Sequence, residues 1–314
     1  MITTPSPLPP FDTPVLDRGY KWWYFDASSS DGQHHLVVIA FVGSVFSPFY
    51  KRAVARGRAD PMQYCAINVA LYSRQHARWV MTEPHPSKVE RGADHFYLGN
   101  TQLVYRQDAI EIIVNDRAAP LPFKVQGRIV VHPHSLTSTE YELDARRQHR
   151  WWPVSPRTRV ELEFEKPDIR WSGDGYFDSN QGDEPLHEGF NDWHWSRTHE
   201  RDHTRIEYHA RDRHDAPSAL SLQIRDDGQI AKSQPAVACQ LPATRLWRAP
   251  RTAHLMASPK ISQTLEDTPF YARSLLSTGA DRSHTMHESL SLARFRANWV
   301  TTLIPFRMRF PFVR

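Results

Sequence analysis

At 314 residues the chain is long for a single domain, and its 40% hydrophobic and 24% charged side chains exclude a disordered or fibrous protein. The 39 basic and 35 acidic residues nearly balance, to a net +4, and no dense basic run appears, which argues against a nucleic-acid partner. The apolar stretch 36–46 is too short to cross a bilayer, so the expectation is a soluble or peripheral globular protein.

The opening MITTPSPLPP has neither a basic flank nor an apolar stretch, which argues against a secretory signal. Strand-like segments then recur at 35–42, 64–71, 77–82, 101–105, 110–114, 123–131, 159–164, 204–209, 219–224, 251–256 and 285–295. Turn signals punctuate them at Asp31-Gly32, Gly173-Asp174-Gly175 and Asp227-Gly228. The best helical segment, 48–58, is brief, and the 24 prolines limit helices further. Short strands without alternating helices predict an all-β fold of sandwiches or barrels. A boundary is expected near the arginine-rich turn 145–156, dividing the chain into a barrel over 1–150 and a second over 151–314. Cys65 and Cys239 are too few for a disulfide framework and read as buried thiols of a reducing compartment. Arginine outnumbers lysine 32 to 7, a bias toward the cation that stacks on rings and pairs with carboxylates or phosphates, so anionic lipid head groups fit as partners.

Three runs carry chemistry. Tyr20-Lys21-Trp22-Trp23-Tyr24-Phe25-Asp26 places rings on both faces of a strand, as core packing or as the wall of a pocket for a long apolar ligand. In His149-Arg150-Trp151-Trp152-Pro153, alternation turns His149 and Trp151 to one face, either a buried structural pair or an imidazole beside a π surface. In 173–186 the glycines at 173, 175 and 182 bracket a turn, and Tyr176 and Asp178 share a face; Trp193-His194-Trp195 follows. The Tyr-Phe-Asp of Tyr24–Asp26 returns at Tyr176–Asp178, an echo that chance supplies in a chain this long. The acidic loop misses the EF-hand glycine, since Asp183 stands sixth from Asp178. No zinc spacing, no Gly-x-Ser-x-Gly elbow and no nucleotide loop is present, so metal and nucleotide cofactors are not expected. Acid–base chemistry by carboxylate and imidazole among aromatic rings remains.

Taken together, these runs resemble the carotenoid 1,2-hydratases, and more distantly the tocopherol cyclases and AttH-type proteins, over most of the chain. The resemblance implies two tandem lipocalin-like antiparallel β-barrels with few short helices, no cofactor, and addition of water to the terminal C1=C2 bond of acyclic carotenes such as neurosporene or lycopene. The family's His-x-Trp and Tyr-x-Asp pairs fall on His149, Trp151, Tyr176 and Asp178. Alkene hydration needs an acid, for which Asp178 is the candidate; its ordinary pKa of about 3.9 requires apolar walls to hold the proton at neutral pH. Trp151 would steady the tertiary cation and a neutral His149 would take the proton of the attacking water. Trp152, Trp193, Trp195, Trp23 and Tyr24 would line the substrate, and the barrel would supply a long apolar cavity with an open mouth. The tail 298–314 reads either as a head-group anchor or as a last barrel strand, and peripheral association with the cytoplasmic side of an intracytoplasmic membrane is expected, with no nucleic-acid or known protein partner. A cyclase, which traps the same cation internally, and a non-catalytic carotenoid or lipid carrier are the alternatives.

Overall fold

The computed structural model describes residues 8–57, 59–255, 259–277 and 284–304. Its first strands are β1 (Tyr20–Ser29), β2 (His35–Val42), β3 (Ala66–Tyr72), β4 (Arg78–Thr82), β5 (Val89–Arg91), β6 (His95–Leu98), β7 (Thr101–Tyr105), β8 (Ile110–Arg117) and β9 (Lys124–Pro133). After β10 (Tyr141–Glu142) come the long β11 (His149–Lys166) and β12 (Ile169–Gly182). The remainder comprises β13 (Phe190–His199), β14 (His203–Asp212), β15 (Pro217–Arg225), β16 (Ile230–Lys232), β17 (Ala238–Leu241), β18 (Arg251–His254), β19 (Lys260–Asp267), β20 (Tyr271–Ser277) and β21 (His284–Ser291). The architecture is all-β, with curled antiparallel sheets and a few short helices.

One sheet runs β4-β3-β2-β1-β12-β11-β9-β8-β7-β6-β5, with β10 beside β11; a second runs β16-β15-β14-β13-β21-β20-β19; β17 and β18 form a separate hairpin. Two compact units result. One holds the described residues up to Tyr141 together with Arg150–Pro185, and the other holds Glu142–His149 and Leu186–Thr302. The units therefore do not divide at residue 150: β12 inserts beside β1 and β11 beside β9, which returns this segment to the first sheet. Nor is 145–156 a turn throughout, since β11 already begins at His149.

In the first sheet, Ile110, Ile112 and Val114 alternate with more exposed positions on β8, as do Val160, Leu162 and Phe164 on β11, the period of a half-buried strand. Side chains from strands far apart in sheet order, such as Val69 and Val80 with Phe96 and Leu98, share one apolar cluster, so the sheet curls around them. Phe11 enters the same cluster, stacked on Tyr105 at 4.2 Å, while the Pro9 carbonyl accepts from Trp23 Nε1–H (3.1 Å) and Tyr105 O–H (2.7 Å). The inside of this curl thus holds the apolar core of the first unit.

The turn at Asp31-Gly32 forms as expected, with Gly32 at φ +69° and Asp31 Oδ1 accepting from the Gln33 amide at 3.0 Å. Gly173-Asp174-Gly175 does not turn: it lies inside β12. Its glycines serve close strand approach, because a Cβ at 173 would stand 1.9 Å from the Ser28 carbonyl oxygen and one at 175 would stand 2.5 Å from that of Asp26. The helix expected near 48–58 is Pro48–Ala55, capped by Ser47 Oγ, which accepts from the Phe49 and Tyr50 amides. Asn298–Leu303 is a short helix and not a barrel strand; Met256 and the tail residues 305–314 lie outside the described residues.

Candidate active site

Strands β1, β2 and β3 are buried along both faces, unlike the alternating β8 and β11. On β1 the odd positions Trp23, Phe25 and Ala27 belong to the packed core. The even positions Tyr20, Trp22, Tyr24 and Asp26 therefore point to the other face, and they too are buried. The β1–β12 register sets Trp22 opposite Asn180, Tyr24 opposite Asp178 and Asp26 opposite Tyr176. The two Tyr-Phe-Asp tripeptides thus pair with each other head to tail. Phe25 stacks on Phe177 on the core side, and Tyr24 meets Tyr176 edge to face at 6.2 Å on the other.

Asp178 is the centre of this second face. Its Oδ2 accepts the Tyr176 hydroxyl and the Trp151 indole N–H, each at 2.8 Å, and all three residues are buried. Burial, together with the charges of Asp178 and Asp26, pushes the Tyr176 hydroxyl well above its ordinary range, so it remains an O–H donor. Tyr141 packs against the Trp151 ring at 5.9 Å. One oxygen receiving two donors leaves the carboxyl two complementary states. As an acid its proton sits on Oδ1 and Oδ2 is the carbonyl oxygen; as a carboxylate, Oδ2 is already solvated by the protein.

Of the residues singled out from the sequence, Trp151, Tyr176, Asp178 and Tyr24 are brought together within the first unit. Trp23 is not among them: its indole is in the packed core against Phe11 and Phe96. Trp152, adjacent to Trp151 and so turned the other way, packs beside the same core and donates to the Thr137 carbonyl at 3.0 Å. Trp193 and Trp195 are buried on β13 in the second unit, where Trp193 meets Phe190 and Tyr208 edge to face.

His149 also belongs to the second unit and is fully buried. Its backbone N–H donates to Asp144 Oδ1 at 2.8 Å, its ring packs on Phe190 at 4.6 Å, and Gly189 lies so close that a Cβ there would stand 2.1 Å from Nε2. Sequence reasoning left the place of Asp26 open and passed over Trp22 and Asn180; the register adds all three to the Asp178 face. The signal was present in the alternation Tyr20, Trp22, Tyr24, Asp26.

The profile of the carotenoid hydratase CrtC family matches residues 38–311. The chain belongs to that family. It is 42% identical to the acyclic carotenoid 1,2-hydratase of Thiocapsa roseopersicina over 97% of this chain and 76% of that protein. Against the enzyme of the same name from Rubrivivax gelatinosus identity is 39%, over 96% and 75%, and against that of Rhodobacter capsulatus 33%, over 86% and 96%. Among solved structures, a putative AttH from Nitrosomonas europaea superposes with a TM-score of 0.59 at 13% identity, covering 91% of this chain and 99% of that one. CghA with bound Sch210972 gives a TM-score of 0.54 at 10% identity, over 92% and 96%. At these identities the two structures speak to the fold alone. Among the described residues no helix is long and apolar enough to cross a membrane, and no cluster of three or more histidine, cysteine or acidic side chains is placed to hold a metal ion.

Proposed function

We propose that this protein hydrates the terminal C1=C2 bond of an acyclic carotene, with Asp178 as the acid. The observation that carries the reading is the buried Asp178 carboxyl whose Oδ2 receives both Tyr176 O–H and Trp151 N–H. Protonating an alkene carbon demands a strong acid whose conjugate base is stabilised at the moment it forms. In this reading Asp178 carries the proton among its buried aromatic neighbours before the reaction, and the two donors stabilise the carboxylate as that proton leaves.

The proton moves from Oδ1 to C2, the π electrons form the new C–H bond, and the positive charge is left on tertiary C1. The new carboxylate faces that cation, and the electron-rich rings beside it, Trp151 and Tyr24, contribute about 0.5–2 kcal/mol each as cation–π partners. Water adds through oxygen to C1 and gives up a proton, and re-protonation of Asp178 closes the cycle. Because the substrate is apolar, the enzyme takes it from a membrane surface as a peripheral protein, and low-salt fractionation that leaves all of it in the supernatant would count against this part.

Turnover of neurosporene by the wild type and by Asp178→Asn tests the reading. The expected product is heavier than the substrate by one water, with one solvent deuteron at C2 and the hydroxyl oxygen drawn from labelled water. Folded Asp178→Asn should have lost turnover. An unchanged product mass would favour a cyclase, and near-native activity of the variant would remove Asp178 as the acid.

A further inference from the structure

Asp26 is a second acidic side chain on the face that carries Asp178, and at 1% exposure it is as buried as its neighbours. It lies directly opposite Tyr176, with Asp178 two residues further along β12 on the same side. Diagonal neighbours of this kind stand about 7–8 Å apart along the backbone, with side chains closer.

The other charged and titratable groups on this face can be named strand by strand. On β1 it has Tyr20 and Tyr24, on β2 the apolar Val37 opposite and His35, whose Nδ1 is bonded to Ser28, and on β3, opposite His35, Tyr72. On β12 are Tyr176, Asp178 and, toward solvent, Asp174. On β11, Thr158 and Val160 meet Gly175 on the core side, which turns Arg157 and Arg159 the other way. Arg159 is exposed and engaged with Asp174 at 3.7 Å and Ser172 at 2.6 Å, so the half-buried Arg157 is the remaining β11 cation on this face. Among the groups named, two buried carboxyls share this face with one half-buried guanidinium, and like charges brought together in a buried site are relieved by holding a proton.

Building on the acid role proposed for Asp178, we propose that Asp26 is a positioning residue for the catalytic proton: its charge on the adjoining strand keeps Asp178 in the acid form, the two carboxyls sharing one proton at neutral pH. The pair titrates as a unit, with Tyr176 between them.

The pH profile of kcat for the wild type, Asp26→Asn and Asp26→Glu tests it. Activity requires protonated Asp178, so it falls as pH rises through the pair's upper pKa. Removing the neighbouring charge lowers that pKa, and the alkaline limb of Asp26→Asn should move down by about one to two pH units, the size expected for unit charges about 7 Å apart in a medium of effective dielectric about 20. Activity should return as pH is lowered, and Asp26→Glu should restore the limb. A folded Asp26→Asn with an unmoved limb overturns the proposal whatever its kcat. Should that variant fail to fold, the infrared carboxylic-acid C=O band of the wild type at pH 7 decides: a band lost in Asp178→Asn supports the shared proton, and no such band overturns it. The two readings fail separately. An active Asp178→Asn removes the acid assignment, whereas an inactive one beside an unshifted Asp26→Asn removes only the role of Asp26.

Discussion

Phe25 and Phe177 lie face to face across β1 and β12, ring centroids 4.3 Å apart and planes 8° from parallel. The stack sits at the middle of the paired Tyr-Phe-Asp tripeptides, on the core side, and fixes the register that the other face depends on. A slip of one residue would turn Tyr176 and Asp178 into the core. Phe177→Ala should therefore cost about 3–5 kcal/mol of stability, the usual loss for a buried phenylalanine. Urea denaturation checks this, and a loss below about 1 kcal/mol would mean that the register is held elsewhere.

Tyr176→Phe keeps the buried ring and removes one of the two donors to Asp178 Oδ2. A hydrogen bond to a charged acceptor is worth about 1.5–3 kcal/mol, and stabilisation gained only as the carboxylate forms appears in kcat as about 10- to 100-fold. The expected result is that loss in kcat with KM and melting temperature little changed. Equal changes in kcat/KM and KM at constant kcat would instead assign the hydroxyl to substrate binding.

The strands around this site were legible where a Val, Ile or Phe period set them, as in β2 and β8, and the Asp31-Gly32 turn followed from local chemistry. The site was half legible. Trp151, Tyr176 and Asp178 stood out as residue types, but adjacent Trp22 and Trp23 point to opposite faces, and a strand buried on both sides carries no polar alternation to say which face is the core. The place of Asp26 stayed open because the echo of its tripeptide lies far away in sequence, and only pairing of β1 with β12 gives that echo meaning. Gly173 and Gly175 read as a turn because glycine's commonest use is there; their use in close strand approach depends on a partner strand that local sequence does not reveal.

Gly189 has no room for a methyl group: the His149 ring occupies the place, and Phe190 packs on that ring from its own side. Gly189→Ala should displace His149 and cost about 1–3 kcal/mol through overpacking. If His149 takes the proton from water, kcat should fall by more than the loss of folded protein explains, measured as specific activity per folded molecule. Unchanged specific activity would separate His149 from the chemistry.

The second unit holds four histidines on one side of its sheet and the adjoining hairpin. His209 and His254 stack with centroids 3.5 Å apart, His194 Nδ1 is bonded to Ser289 Oγ at 2.9 Å, and His287 donates Nε2–H to the Thr252 carbonyl at 2.9 Å. Burial pushes His287 and His254 down to about 4 and His194 to about 3, with neighbouring imidazoles adding to the fall for His194 and His254. In the unfolded chain these groups titrate near the ordinary histidine value of about 6.5. Between about pH 4 and 6.5 the unfolded chain therefore binds protons that the folded chain does not, so stability rises with pH across that window and is fully present above it. The slope is about 1.4 kcal/mol per pH unit for each such histidine, and less for the part-exposed His254. Urea unfolding free energies at pH 7.5, 6 and 5 should fall steeply toward acid, and His287→Gln, which can still donate to Thr252, should flatten the slope by about one proton. Parallel pH slopes for wild type and His287→Gln would mean that His287 does not remain neutral as the protein is acidified.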